Sequence, residues 1–178
     1  MAGGFVLVVG PSGAGKDTLL RLARADLAGD PRFDFPRRLV TRPPSAHEDN
    51  RELDEAAFAQ GGKSGTFALH WRAHGLGYAI PAETVARAQA GQVVVCNVSR
   101  RVVEAARRTL PHVGVVAIAA SPEVLARRLA ARGRPEDGDL RARIARHVPI
   151  AAECTIWNDT DPESAADRLV AYLRTRVG

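Results

Sequence analysis

Nine residues constrain the fold of this chain more than any other stretch. Gly10-Pro11-Ser12-Gly13-Ala14-Gly15-Lys16-Asp17-Thr18 matches GxxxxGK[ST] except at its last position, where Asp17 stands in place of a hydroxyl. The apolar run 5–9 before it predicts a buried strand. Leu19, Leu20, Leu22 and Ala23 after it give a helix over about 16–27 its apolar face. The glycines between let the backbone curl so that successive N–H groups point inward at a phosphate. The helix N-terminus adds the positive end of its dipole. Gly10, Pro11, Ser12, Gly13, Ala14, Gly15, Lys16, Asp17 and Thr18 are therefore the candidate nucleotide-phosphate site, with Lys16 reaching the β- and γ-phosphates. The hydroxyl that Asp17 replaces ordinarily ligates Mg²⁺. A carboxylate binds Mg²⁺ more strongly by charge but repels phosphates, which is tolerable if the metal lies between, directly or through water. Thr18 is one position late and is expected to face differently.

The rest of the chain alternates in the same way. Runs 92–98 and 113–119 are β-branched and nearly continuous, as strands covered on two faces are. Helices are expected after each, over about 100–109 and 122–132. A last strand is expected over 154–157 and a last helix over 162–176. Residues 30–50 are rich in proline and charge, with a short strand near 38–40. Residues 53–60 read as helix, 61–65 as a flexible glycine loop, 67–71 and 77–80 as two short strands, and 81–90 as a helix opened by Pro81. Gly133-Arg134-Pro135-Glu136-Asp137-Gly138 breaks the chain, and Asp139 can cap a further helix to about 147. The pattern predicts an α/β protein with a parallel sheet of about five strands flanked by helices.

Composition removes other classes. The chain has 178 residues, 46% of them hydrophobic and 25% charged, enough for one packed domain. No apolar run approaches the roughly 20 residues of a membrane helix, and Met1-Ala2-Gly3-Gly4 has no basic region of a secretory signal. A cytoplasmic protein with no membrane contact is expected. Cys96 and Cys154 lack CxxC spacing and read as reduced, buried thiols. The histidines form no cluster with zinc-ligand spacing. Of 25 basic residues only Lys16 and Lys63 are lysine, and the net charge is +5. Basic chains often bind nucleic acid. However, aromatics are 5% and no basic patch is interleaved with base-stacking rings. A small polyphosphate substrate explains the charge as well, so no nucleic-acid partner is expected.

Taken together, the Gly10–Thr18 segment, the Thr41-Arg42-Pro43 step and Arg128-Leu129-Ala130-Ala131-Arg132-Gly133 resemble the guanylate kinase family of P-loop kinases over nearly the whole chain. Gly15-Lys16-Asp17, the 67–76 segment with Ile80-Pro81, Asn97-Val98-Ser99-Arg100 and Arg132-Gly133-Arg134 are more closely similar to the ribose 1,5-bisphosphate phosphokinases of bacterial phosphonate breakdown. The resemblance implies a single P-loop kinase domain: a core of about 1–40, 92–132 and 150–178, an acceptor-binding insertion of about 41–91, and a lid of about 133–149. It implies ATP and Mg²⁺, ribose 1,5-bisphosphate as acceptor, 5-phospho-α-D-ribose 1-diphosphate as product, and no obligate protein partner. Where guanylate kinases read their base, this chain has Ser45, His70 and about Ala79-Ile80-Pro81. A site stripped of those polar partners loses selective guanine binding. The family's Asp-x-Asp near the metal is Asn97-Val98-Ser99 here, which leaves Asp17 as the compensating carboxylate.

The resemblance also distributes roles among the arginines. Arg132 and Arg143 match the lid arginines that contact the transferring phosphate, and Arg42 matches the acceptor-phosphate arginine. Arg38, Arg51 and Arg100 are candidates for the acceptor's second phosphate. His74 and Tyr78 either line the sugar or pack, and Asn158-Asp159 is either the adenine-side loop or a plain turn. A phosphate acceptor is already anionic and needs no carboxylate base, in keeping with Asn97-Val98-Ser99. Two rival readings are a nucleoside monophosphate kinase, against which the missing base readers argue, and a catalytically inactive binding module, against which Lys16 and the lid arginines argue.

Overall fold

Every residue of β1 (Gly4–Val9) is buried, and a strand with no polar face has to be covered on both sides. In this computed structural model, which describes residues 3–43, 49–133 and 150–178, β1 lies at the middle of a five-stranded sheet. The other strands are β2 (Phe33–Asp34), β7 (Val93–Asn97), β8 (Gly114–Ala119) and β9 (Cys154–Trp157). They run in the order β2-β7-β1-β8-β9 with every pairing parallel, as the sequence predicts.

Alternation along β1 divides the core in two. Val6 and Val8 face Leu19 and Ala23 of α1 (Lys16–Asp26), Leu125 of α5 (Pro122–Arg132), and Leu169 and Leu173 of α6 (Pro162–Arg174). Phe5, Leu7 and Val9 face Ala88 of α3 (Glu83–Gln89) and Val103 and Ala106 of α4 (Val103–Thr109). Each fully buried Leu or Phe is worth about 1.5–3 kcal/mol over its exposed state. The helices start where their sequences allow. Ser121 caps α5 and Asp161 caps α6, each followed by a proline whose missing N–H costs nothing there.

A second, four-stranded sheet occupies the same side as Phe5 and Leu7. It consists of β3 (Arg38–Val40), β4 (Asn50–Glu52), β5 (Phe67–Ala73) and β6 (Leu76–Pro81), in the order β4-β3-β6-β5. Strands β5 and β6 form an antiparallel hairpin. His74 and Gly75 turn it with φ of 53° and 75°, the double left-handed conformation of a two-residue hairpin turn. Val40, Leu69, Trp71, Tyr78 and Ile80 carry this sheet's inner face into the core.

The structure corrects the sequence reading at several places. Residues 61–64 are not a loop, because α2 runs Glu55–Ser64 and ends at Gly65. Gly61 is there because the helix lies against the Phe67 ring, which sits 2.5 Å from where a Cβ would be. Pro81 closes strand β6 rather than opening a helix, and α3 begins at Glu83. The short strands β2 and β4 were not expected; neither carries enough apolar residues for a periodic signal. The helix expected over 139–147 lies outside the described residues.

Candidate active site

The phosphate loop hangs between the end of β1 and the start of α1, and buried groups hold it from behind. Gly15 caps α1 in the left-handed region, φ 90°. The side chain of Asn158 occupies the space where a Cβ on Gly15 would project. Asn158 is 3% exposed. Its Nδ2 donates to the Ala14 carbonyl at 2.8 Å. Arg128 donates through Nη2 to the Asn158 carbonyl at 2.7 Å and through Nη1 to the Gly13 carbonyl at 3.2 Å. In a trans peptide the carbonyl and the next N–H point opposite ways. Holding the Ala14 carbonyl inward therefore turns the Gly15 N–H toward the loop's mouth. Asp159 adds a tie from the same turn, accepting from the Ser121 N–H at 2.6 Å.

Lys16 spans the loop. Its Nζ donates to the carbonyls of Gly10 at 2.8 Å and Pro11 at 3.1 Å. Burial of the ammonium lowers its pKa to about 8; Asp17 opposes that shift, and the charges of Arg38, Arg100 and Arg132 reinforce it. Those three arginines, distant in sequence, thus converge electrostatically on Lys16. Such a cationic centre favours a polyanion, because anionic phosphates would relieve its self-repulsion.

Asp17, in the first turn of α1, meets Asn97 at the end of β7. Asn97 Nδ2 donates to Asp17 Oδ1 at 2.7 Å. The amide fixes one carboxylate oxygen and leaves the other to face solvent or a cation. Among the described residues no group of three or more His, Cys, Asp and Glu is gathered that could hold a metal. The donor set therefore fits a hard cation carried mainly by phosphate oxygens and water, with one protein carboxylate, which is the habit of Mg²⁺.

A cavity of about 380 Å³ opens beside this pair, between α1, the β2–β3 connection and β6. Asp17, Thr18, Arg21, Arg24, Arg37 and Arg38 contribute its polar lining. Thr18 thus faces this cavity. Arg38 lies over the Tyr78 ring, 4.8 Å from its centroid, and donates to the Asn97 carbonyl at 3.4 Å. Asp49 holds two rim arginines, Arg24 at 2.7 Å and Arg37 at 2.8 Å.

The remaining candidates separate. Arg42 is partly buried beside Thr41, which is pinned to β6 through Gly77. Tyr78 is buried and stacked on Trp71 at 5.5 Å, and so serves as a wall under Arg38. His74 stands exposed at the hairpin tip, and Arg51 is exposed on β4; neither lines the cavity. His70 does not face the acceptor side. Leu69 and Trp71 point into the core, so strand alternation turns His70 toward α2, where it meets Phe58 and Phe67. Arg143 and Ser45 lie outside the described residues. Sequence reasoning missed the brace of Arg128 and Asn158, the amide partner of Asp17, and the cavity arginines Arg21 and Arg24. The last two carried a signal: Asp17, Arg21 and Arg24 repeat at i, i+4 and i+7 on one helix face.

No family model matches the chain. It is 66% identical over 174 residues to ribose 1,5-bisphosphate phosphokinase PhnN of Methylobacterium radiotolerans, covering 98% of this chain and 99% of that one. The Bradyrhizobium diazoefficiens protein of the same name is 49% identical over 97% of this chain and 88% of its own. Guanylate kinase from Anaplasma phagocytophilum shares the fold with a TM-score of 0.70 at 22% identity, over 98% of this chain and 86% of that one.

Proposed function

The chain belongs to the ribose 1,5-bisphosphate phosphokinase family, and on that premise we propose that it transfers the γ-phosphoryl group of ATP to the 1-phosphate of ribose 1,5-bisphosphate. The products are 5-phospho-α-D-ribose 1-diphosphate and ADP. The observation that carries the reading onto this chain's own residues is Lys16 lying across the glycine loop, bonded to the Gly10 and Pro11 carbonyls, with Arg38, Arg100 and Arg132 near enough for their charges to act on it.

In the transfer, an oxygen of the acceptor's 1-phosphate attacks the γ-phosphorus. The bond from that phosphorus to the β,γ-bridging oxygen breaks, and its electron pair stays with ADP. The acceptor oxygen is already ionised, so no side chain has to remove a proton. The work left to the protein is alignment and neutralisation of charge. Lys16 sits where the β- and γ-phosphates meet the loop. Arg132, at the end of α5, faces the transferring group; Arg143 joins it by resemblance. Arg42 holds the acceptor's reacting phosphate with its forked guanidinium. Arg100 adds to the field that draws the acceptor in. Asn158 serves ATP by holding the loop from behind. By resemblance, residues of about 41–91 serve acceptor binding, and the lid of about 133–149 lies, apart from Gly133, outside the described residues.

Asp17, directly or through water, would hold Mg²⁺, with Asn97 orienting its carboxylate. The ion would supply positive charge against the polyphosphate. The test is direct: protein, Mg-ATP and ribose 1,5-bisphosphate are incubated and followed by phosphorus NMR. The reading requires the acceptor's 1-phosphate signal to give way to a second coupled diphosphate pair, distinct from that of ADP. ATP consumption that yields the ADP pair and free phosphate, with the acceptor's 1-phosphate signal unchanged, contradicts it.

A further inference from the structure

We propose that the arginine-lined cavity beside α1 is the seat of the acceptor's second phosphate, the one that does not react, with Arg21 and Arg38 as its contacts. The inference rests on the reading of the acceptor as ribose 1,5-bisphosphate and identifies where its specificity is set.

The two phosphates of such a sugar need two separate cationic sites. The reacting one has to lie at the loop, near Lys16. The other has to be held at a sugar's length away, and the cavity begins where the loop ends: Asp17 and Thr18 belong to both. Its volume of about 380 Å³ falls within the ~300–1,000 Å³ of small-molecule sites. Four arginines line it against two carboxylates. Asn97 engages one carboxylate, Asp17. The other, Asp49, is shared by Arg24 and Arg37 at the rim.

Arg21 is different from these. It lines the cavity and, among the described residues, makes no hydrogen bond or ion pair. Arg38 is oriented in advance by the Tyr78 ring beneath it and the Asn97 carbonyl beside it. A guanidinium that is already placed loses little freedom when it binds an anion. Arg38 also acts on Lys16 through its charge, which links the cavity to the transfer centre. Leu20, Phe35, Pro36, Ile80 and Val95 supply the apolar wall, and Asn50 and Asn97 complete the polar one. The apolar side chains offer a nucleobase no donor or acceptor, and a phosphate needs none from them.

The test compares two acceptors that differ only in that phosphate. Wild type and Arg21→Ala are assayed with ribose 1,5-bisphosphate and with ribose 1-phosphate. The cavity assignment requires the wild-type preference for the bisphosphate, in kcat/KM, to fall roughly tenfold or more in Arg21→Ala. The loss should reside in KM, and Arg21→Lys should recover part of it. Competitive inhibition by ribose 5-phosphate should weaken by a similar factor. A bisphosphate preference unchanged in Arg21→Ala overturns the assignment while leaving the proposed activity intact. Failure of the wild type to turn over ribose 1,5-bisphosphate removes both.

Discussion

Lys16 is the residue on which most of the chemistry converges. On the proposed mechanism, replacing it with alanine removes a charge directed at the transferring group, and losses of that kind are ~10²–10³-fold in rate. The Lys16→Ala protein should keep its wild-type circular dichroism while transfer falls by that factor. Its depressed pKa adds a pH signature. Burial lowers the ammonium's pKa to about 8, and bound phosphates favour the charged form. Above that pH, ATP binding must first take up a proton, so affinity should fall as pH rises through about 8, and calorimetry in two buffers should detect the uptake. An ATP affinity that is level from pH 7 to 9 would contradict this. Asp17 predicts a different dependence: Asp17→Asn should raise the Mg²⁺ concentration needed for half-maximal rate while nucleotide binding without metal changes less. A superimposable Mg²⁺ titration would place the metal elsewhere. These two residues were legible because the motif is local. Asn97 was not legible as Asp17's partner, since the residues are 80 positions apart and only the sheet brings them together. Arg21 had helical spacing behind it, but the same spacing describes any solvated helix face.

At the scale of elements, the sequence conveyed what period and burial dictate. β1, β7 and β8 are apolar runs, and runs of that kind have to be interior strands. α2 was truncated in the reading because Gly61-Gly62 looks like a break, when in fact Gly61 makes room for the Phe67 ring. Gly61→Val should accordingly destabilise the protein by about 1–3 kcal/mol through overpacking, read as a lower melting temperature. The brace behind the loop makes a second prediction. Asn158→Ala removes the amide donor of the buried Ala14 carbonyl, which keeps only the longer bond from Arg128 Nη1 at 3.4 Å, at a cost of about 0.5–1.5 kcal/mol. It should also raise KM for ATP, because the loop's peptide planes lose their anchor. A normal KM with reduced stability would limit Asn158 to a structural role.

Across the whole molecule, two sheets divide the work. The parallel sheet presents the glycine loop at the end of its central strand. The second sheet, packed over Phe5, Leu7 and Val9, brings Arg38 and the β6 wall to the same place. That arrangement could be anticipated only in outline, because short strands such as β4 draw their stability from neighbours rather than from their own sequence. The central claim is that the acceptor half of this fold is built for a sugar with two phosphates rather than for a nucleotide. The measurement that bears on it most directly is a competition assay with ribose 1,5-bisphosphate and GMP at equal concentration, both products followed from one reaction with Mg-ATP. The account predicts that the sugar bisphosphate is converted and GMP is left nearly untouched. Conversion of GMP as fast as the sugar would contradict it.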